Sequence, residues 1–225
     1  VSISPITAVE DNTKKSGVWV RDSTQGLGTI TYINPETMKF GALCHGIMDV
    51  DTKQLMSVKD GVISTADISS VKKGKKGSPG ERIGDIKSME KLGTVSINNS
   101  YGIYGTVDDI AYLSSCDAIP IASQSEVLEG PAVILSNIAD EGVVEYEVYI
   151  ETVNKFSQDE SKGMVIRITD EELSSKTNGI VQGMSGSPVI QNGKLVGAIT
   201  HVFVQDPAKG YGIFIENMLK QESMC

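Results

Sequence analysis

The stretch GIVQGMSGSPVIQNGKLVGAITHV, residues 179–202, decides the fold class of this 225-residue chain. Two apolar runs flank Asn192-Gly193, and an Asn-Gly pair between such runs is the strongest short signal for a β-hairpin. The segment from Gly183 to Pro188 is rich in glycine and serine, which favour turns. The stretch therefore predicts a tight turn followed by a hairpin of two buried strands.

Most of the remaining chain has the composition of short β-strands. β-branched and aromatic residues stand between turn formers, and residues 145–153 alternate polar and apolar side chains with the period of a strand. The 23 glycines fit the turns that such strands need. The sequence therefore predicts an all-β fold, a barrel or a pair of barrels, divided near residues 105–130. The predicted strands are 17–22, 28–35, 39–47, 93–99, 130–138, 143–153, 163–169, 187–204 and 211–215.

Helical signals are confined to two short segments. Thr169 is the predicted N-cap of a helix over 169–177, with Glu172 three residues later completing a capping box. Residues 216–223 favour a short helix near the end of the chain. We therefore expect few helices.

Composition disfavours several functional classes. A formal net charge of −9 repels a phosphate backbone, so nucleic acid is not an expected partner. The basic cluster in residues 71–82 is interrupted by glycine and proline, and we interpret it as a solvated loop. Two histidines and three cysteines lack metal-site spacing, and the glycine motifs of nucleotide-binding loops are absent. We expect no metal and no cofactor.

Ser185 is the candidate nucleophile. Acyl transfer by serine needs an exposed hydroxyl on a tight turn, a base within reach and backbone N–H groups directed at the developing oxyanion. In Gly183-Met184-Ser185-Gly186, a glycine two residues before the serine allows the Gly183 and Ser185 amides to converge as an oxyanion hole. The alternative is a plain glycine-serine turn. Ser187 fits the nucleophile role less well, because it precedes proline without the Gly-x spacing.

A histidine base for this serine is either His45 or His201. His45 follows an apolar strand and precedes a glycine, whereas His201 lies inside a predicted strand, where histidines are more often structural. We therefore favour His45. For the acid we favour Asp170, fifteen residues before the serine, although a carboxylate there also suits the first turn of the predicted helix. The rival acids are Asp49, Asp51, Asp108 and Asp109.

Two long segments of the chain resemble a known family. They are SGVWVRDSTQGLGTITYINPETMKFGALCHGIMDVDT (16–52) and GIVQGMSGSPVIQNGKLVGAITHVFVQDPAKGYGIFIENML (179–219), and both are similar to the SpoIVB peptidases of endospore-forming bacteria. The resemblance implies a chymotrypsin-like double β-barrel in one peptidase domain, with halves of about 1–115 and 116–225. It also implies that Ser185, His45 and Asp170 form the catalytic triad.

The resemblance further implies a biological role. Members of the family cleave the extracytoplasmic part of a membrane protein, and also themselves, in signalling between mother cell and forespore. We therefore expect a protein substrate, autoproteolysis and a location in the space between the two membranes. The family's N-terminal anchor and PDZ domain are missing from the chain, so we expect Val1 onwards to be an excised or released peptidase domain. Cys44 stands where the family is expected to have glycine.

Substrate binding is predicted along the strand that follows the hairpin. Two-barrel peptidases hold the substrate as an added strand beside this element. Thr200, His201 and Val202 are therefore expected to line the cleft, with plain core packing of the strand as the alternative. Two rival functions remain at this stage: a peptidase fold that binds a partner by strand addition without cutting it, and a hydrolase that uses Cys44 as its nucleophile.

Overall fold

The computed structural model describes residues 6–7, 14–15, 26–49, 51–85, 91–108, 118–138 and 142–222. The predicted strand 17–22 lies outside these residues. The described strands are β1 (Ile6–Thr7), β2 (Lys14–Lys15), β3 (Ile30–Ile33), β4 (Lys39–Ala42), β5 (Gly61–Ser64), β6 (Asp67–Lys72), β7 (Glu81–Asp85), β8 (Lys91–Asn99), β9 (Gly102–Val107), β10 (Gly130–Ser136), β11 (Val144–Val153), β12 (Met164–Ile168), β13 (Pro188–Gln191), β14 (Lys194–Phe203) and β15 (Asp206–Phe214). The helices are α1 (Glu171–Thr177) and α2 (Ile215–Glu222), with 3₁₀ turns at Gln124–Glu126 and Glu160–Lys162.

The second half of the chain is a closed six-stranded barrel. Its strands follow the order β10-β11-β12-β15-β14-β13, and every neighbouring pair is antiparallel. Inward-facing side chains such as Ile134, Ile150, Ile166 and Ile199 are fully buried and form its core. The all-β prediction is confirmed.

The first half contains an antiparallel sheet of five strands in the order β3-β4-β9-β8-β5. Strands β6 and β7 form a separate hairpin, and residues 73–80 of the basic cluster connect them. Phe40, Leu92, Val95 and Ile103 form the core of this half. In the residues described here this sheet is not closed into a barrel, whereas the barrel of the second half is closed. The proposed division at residues 115 and 116 stays a prediction.

The predicted hairpin is confirmed. Strand β13 pairs with β14 in antiparallel register, and Gln191 faces Lys194 across the turn. Asn192 and Gly193 have φ angles of 53° and 73°, the left-handed conformation that a tight hairpin turn requires at both positions.

The first helix begins one residue later than predicted. Asp170, not Thr169, is the N-cap, because its side-chain oxygen accepts the Leu173 N–H. Asn178 ends the helix in the left-handed conformation. Among the described helices, none is long and apolar enough to cross a membrane.

A shared apolar cluster joins the two halves. Cys44 and Tyr104 from the first half pack with Ala198, Ile213 and Met218 from the second half. The Cys44 thiol lies 3.5 Å from the sulfur of Met218 in α2. The loop after β4 and the strand β14 are therefore held next to each other, and the candidate site lies along this seam.

Candidate active site

The turn that carries Ser185 depends on two glycines. Gly183 and Gly186 have φ angles of 95° and 91°, which L-residues with a side chain rarely adopt. A Cβ atom on Gly186 would lie 2.2 Å from the carbonyl oxygen of Thr29. The glycines of the motif are therefore required by the turn itself and by the close approach of the first half.

Residues at the start of β3 hold the carbonyl groups of this turn. The Thr29 N–H donates to the Ser185 carbonyl at 3.2 Å, and the Thr29 hydroxyl donates to the Gly183 carbonyl at 3.0 Å. The Thr31 hydroxyl donates to the Gly186 carbonyl at 2.8 Å. The first half of the molecule thus fixes the orientation of the turn in the second half.

The Ser185 side chain reaches two main-chain carbonyl groups. Its hydroxyl is within hydrogen-bonding distance of the Leu43 carbonyl, and the Thr200 carbonyl lies 2.8 Å away. A hydroxyl has one proton, so Ser185 donates to one of them at a time. The residue is 9% exposed. Leu43 and Cys44 have φ angles of 67° and 56°, so two successive left-handed residues shape the loop in which Leu43 contacts the serine.

His45 lies beside this contact, two residues after Leu43. Its ring is half-buried, and its Nδ1 lies 3.1 Å from the carbonyl oxygen of Gly46. A carbonyl only accepts, so this contact is a hydrogen bond when the Nδ1 atom carries the proton, and Nε2 then has a free lone pair. In the part of the chain that the structure describes, no hydrogen bond joins His45 to the Ser185 hydroxyl.

His201 faces His45 across the seam. The centroids of the two rings are 5.5 Å apart, and the ring planes are inclined at 37°. His201 is an exposed residue of β14, immediately after Thr200. Partial burial of its ring and the neighbouring His45 lower the pKa of His201 below its ordinary value of 6.5, against a smaller opposing effect of Asp159. The structure therefore brings Ser185, His45 and His201 into one region.

The amide groups expected to form the oxyanion hole are free of backbone partners. Among the described residues, neither the Gly183 N–H nor the Ser185 N–H donates to a backbone carbonyl. The Gln182 and Met184 carbonyls, which belong to the same two peptide units, accept hydrogen bonds of 2.9 Å from Arg82 and Ser187. Both amides are thus fixed in orientation and available to a ligand.

Asp170 is not brought to His45. One oxygen of its carboxylate accepts the Leu173 N–H at 2.7 Å, and the other accepts the Glu147 N–H at 3.3 Å. Among the described contacts of this carboxylate, none is to a histidine. The structure therefore supports the capping role of Asp170, and the acid role expected from the resemblance has no support in these contacts.

Two of the rival acids, Asp49 and Asp108, are engaged elsewhere. Asp49 accepts from Asp51 N–H and from both the N–H and the hydroxyl of Thr52, which closes a local turn. Asp108 pairs with Lys91 at 2.9 Å. Asp109 lies outside the described residues. In the described part of the chain, the ring that faces His45 is that of His201.

Cys44 is buried and chemically unsuited to act as a nucleophile. Its side chain has no exposed surface, and burial raises the pKa of its thiol to about 12. The thiolate, which is the reactive form, is therefore scarce at neutral pH. Cys44 packs the loop of His45 against α2, so its place beside the histidine in sequence has a structural explanation. The other two cysteines lie outside the described residues.

Strand β14 has an open side at the predicted substrate-binding segment. Its pairing with β13 stops at Ala198, whereas its pairing with β15 continues to Phe203. Thr200 is buried, and its hydroxyl donates to the Ser161 carbonyl at 2.9 Å. His201 is exposed and Val202 is half-buried. In the described residues, the stretch 200–202 thus has one side without a partner strand, as substrate addition requires.

Sequence reasoning did not find three contributors to this site. Leu43 acts through its main-chain carbonyl, which carries no sequence signal. Thr29 and Arg82 lie more than 100 residues before the serine and reach its turn only in the folded structure. Among the described residues, no group of three or more His, Cys, Asp or Glu side chains is placed to hold a metal ion.

A family model describes almost the whole chain. The model of the SpoIVB peptidase S55 family matches residues 12–219, which include both histidines and the serine turn. The chain belongs to the SpoIVB peptidase family. This membership supports a serine peptidase, and it agrees with the all-β fold. No curated protein matches the sequence significantly.

Solved serine proteases have distantly similar folds. The Rv3671c protease from M. tuberculosis in its active form is 14% identical, with a TM-score of 0.45, covering 92% of this chain and 93% of that one. Its inactive form is 13% identical, with a TM-score of 0.41, covering 74% of this chain and 86% of that one. The HtrA-type protease AlgW, solved with a decapeptide, is 13% identical with a TM-score of 0.44 over 78% of this chain. The chain spans about half, 54%, of the AlgW protein chain.

Proposed function

We propose that this SpoIVB family member is an active serine endopeptidase with Ser185 as nucleophile and His45 as general base. The observation that carries the proposal is the meeting of the two elements. The serine hydroxyl contacts the Leu43 carbonyl, in the same loop and two residues before the histidine. The serine and the histidine come from different halves of the chain, so this meeting depends on the folded structure.

The proposed reaction uses groups already in place. Rotation about the Cα–Cβ bond of Ser185 releases its hydroxyl from the Leu43 and Thr200 carbonyls and directs it to His45. With Nδ1–H donating to Gly46, the Nε2 atom of His45 accepts the serine proton as Oγ attacks the substrate carbonyl carbon. The Gly183 and Ser185 amides receive the negative charge on oxygen. His45 then gives the proton to the leaving amine, and water releases the acyl group by the same steps.

Asp170 is left out of the proposed catalytic group. Its carboxylate caps α1, and the ring beside His45 is that of His201. A neutral imidazole next to His45 contributes packing and orientation without the charge that an aspartate supplies. The lowered pKa of His201, caused first by partial burial and then by the neighbouring His45, favours its neutral form.

The substrate is proposed to bind as an extra strand along residues 200–202. The open side of β14 and the exposure of His201 support this placement. Family membership supports a protein substrate. We propose that this substrate is the extracytoplasmic part of a membrane protein, with the enzyme itself as a second substrate. We place the reaction in signalling between mother cell and forespore, in the space between their membranes.

A binding module without turnover is the second candidate. The observation in its favour is that the Ser185 hydroxyl is held by main-chain carbonyls and not by His45. In that case the open side of β14 would hold a partner segment that is never cut.

Proteolysis of fluorescein-labelled casein separates the two candidates. We expect release of labelled peptides by the wild-type protein, and loss of at least about 10³-fold in turnover for Ser185→Ala and for His45→Ala. Ser187→Ala is the matched control, because Ser187 lies in the same turn, buried and 3.5 Å from the Ser136 hydroxyl. Turnover by Ser185→Ala at the wild-type rate would refute the proposed mechanism. Binding of casein without release of peptides would favour the binding module.

A further inference from the structure

Arg82 is a buried cation behind the turn of the candidate nucleophile. It lies in β7 and is 8% exposed. Its Nε atom is buried without a hydrogen-bond partner, and burial lowers the pKa of its guanidinium to about 10. In the described part of the chain it forms no ion pair with a carboxylate. Burying a charge in this way costs free energy, so the rest of the structure has to hold Arg82 in place.

The main chain of Arg82 fixes the peptide unit that contains the Gly183 amide. The Arg82 N–H donates to the Gln182 carbonyl at 2.9 Å, and the Gln182 N–H donates to the Gly80 carbonyl at 2.8 Å. In a trans peptide the carbonyl and the following N–H point in opposite directions. Because the Gln182 carbonyl faces β7, the Gly183 N–H points away from β7.

The side chain of Arg82 fixes the next peptide unit through Thr29. Its Nη2 donates to the Thr29 hydroxyl at 2.8 Å, and that hydroxyl donates to the Gly183 carbonyl at 3.0 Å. Its Nη1 donates to the Asn137 carbonyl at 2.8 Å, which anchors the guanidinium in the barrel half. A Cβ atom on Gly183 would lie 2.7 Å from the Arg82 Nε, so the two residues are in direct contact.

We propose that Arg82 is a positioning residue for the oxyanion hole, which holds the Gly183 amide in the orientation that receives the developing oxyanion. The inference rests on the proposed function, in which the Ser185 Oγ forms a bond to the substrate carbonyl carbon. The π electrons of that carbonyl move to its oxygen, the Oγ proton moves to His45, and the oxygen carries a full negative charge. The main chain of Arg82 holds the peptide unit of the Gly183 donor, and its side chain holds the following peptide unit through Thr29.

This role acts on the chemical step more than on binding. The negative charge exists in the transition state and the intermediate but not in the bound substrate, so a misaligned donor lowers kcat and leaves KM nearly unchanged. Removing an oxyanion donor outright costs roughly 10²–10³-fold in kcat. Because the amide itself remains, a smaller loss is expected when only its support is removed.

The test measures acylation and stability together in four variants. Arg82→Met removes the guanidinium hydrogen bonds and the positive charge, and Arg82→Lys keeps the charge alone. Thr29→Val removes the hydroxyl that joins the guanidinium to the Gly183 carbonyl, and it leaves the arginine in place. Lys72→Met is the matched control, because Lys72 is an exposed cation in the same hairpin, paired with Glu81 at 3.3 Å. For each protein we measure the rate of Ser185 labelling by a fluorophosphonate, kcat and KM for labelled casein, and Tm.

We expect kcat and the labelling rate of Arg82→Met to fall about tenfold to a hundredfold, with KM within about threefold of wild type. Arg82→Lys should recover part of the loss, and Lys72→Met should behave as wild type. The kcat and the labelling rate of Thr29→Val should also fall. A further variant that combines Arg82→Met with Thr29→Val should lose less kcat than the product of the two single losses, because both changes act through one link.

Three outcomes would overturn the inference. The first is wild-type labelling and kcat in a folded Arg82→Met protein, and the second is a rise in KM alone. The third applies if Arg82→Met does not fold: wild-type rates in Thr29→Val would then show that the link to Gly183 has no catalytic effect. Failure of the proposed function looks different, because the wild-type protein itself would then carry no fluorophosphonate adduct on Ser185.

Discussion

The rings of His45 and His201 face each other with their centroids 5.5 Å apart, one ring from each half of the molecule. Partial burial of the His201 ring, and after it the neighbouring His45, lower the pKa of His201 below its ordinary value. Among the described residues, the His201 ring lies beside His45, where a carboxylate was expected.

Protonation of His201 gives the first prediction. Its pKa in the folded protein is below 6.5, so as pH falls through that value the unfolded chain binds a proton that the folded chain does not. Stability from this group is therefore present above about pH 6.5 and is lost as the solution becomes more acidic. We expect His201→Gln to show a smaller drop in Tm than wild type between pH 7.5 and pH 5.5. Equal drops in Tm in both proteins would contradict a lowered pKa for His201.

Asp170 provides a test that separates capping from catalysis. Asparagine caps helices about as well as aspartate, so Asp170→Asn should keep the acceptor of the Leu173 N–H and keep turnover within about threefold. Its NH2 group does not accept the Glu147 N–H, so Tm should fall slightly. Asp170→Ala should lose about 1 kcal/mol of stability with a similarly small effect on turnover of the folded protein. If Asp170 were the triad acid, Asp170→Asn would instead lower turnover by up to roughly 10⁴-fold. Casein turnover and thermal melting of the two variants decide between these roles.

The reactivity of Cys44 follows from its burial. With a thiol pKa of about 12, Cys44 should resist iodoacetamide in the native protein at pH 8 and react once the protein is unfolded in urea. Peptide mapping by mass spectrometry identifies which cysteine is modified. Rapid modification of Cys44 in the native protein would revive the hypothesis of a cysteine nucleophile.

The glycine turn predicts a difference between two alanine variants. Gly186 and Gly193 both have positive φ, so alanine costs about 1–2 kcal/mol in conformational strain at either position. A Cβ atom at Gly186 would also collide with the Thr29 carbonyl, whereas the space at Gly193 is open. Gly186→Ala should therefore lower the free energy of unfolding clearly more than Gly193→Ala does. If urea denaturation gave the two variants equal losses in the free energy of unfolding, the two halves of the molecule would not meet closely at this turn.

Much of the fold could be predicted from local sequence. The Asn192-Gly193 turn, the alternating segment of β11 and the glycines around Ser185 each have a local pattern with one structural meaning. The end of β4 was predicted too late because the left-handed conformations of Leu43 and Cys44 have no signal in those residue types. Strands β5 to β7 and β9 were not predicted, since they are short and rich in glycine or charge.

The site was predictable only in part, for a physical reason. Ser185 and His45 are marked by residue type and by neighbouring glycines, and their catalytic roles stay predictions. Asp170 was chosen by its distance along the chain, yet the same carboxylate satisfies the N–H groups at the start of α1. Arg82 and Thr29 act through contacts between halves of the molecule, which a single sequence does not display.

Labelling of the wild-type protein by a fluorophosphonate tests the central claim most directly. The reagent forms a stable adduct with a serine only when the hydroxyl is activated and the oxyanion hole is formed. We predict one adduct, located on Ser185 by mass spectrometry, that is lost in Ser185→Ala and His45→Ala and kept in Ser187→Ala. A folded wild-type protein without an adduct on Ser185 would contradict the claim that this site is an assembled peptidase centre.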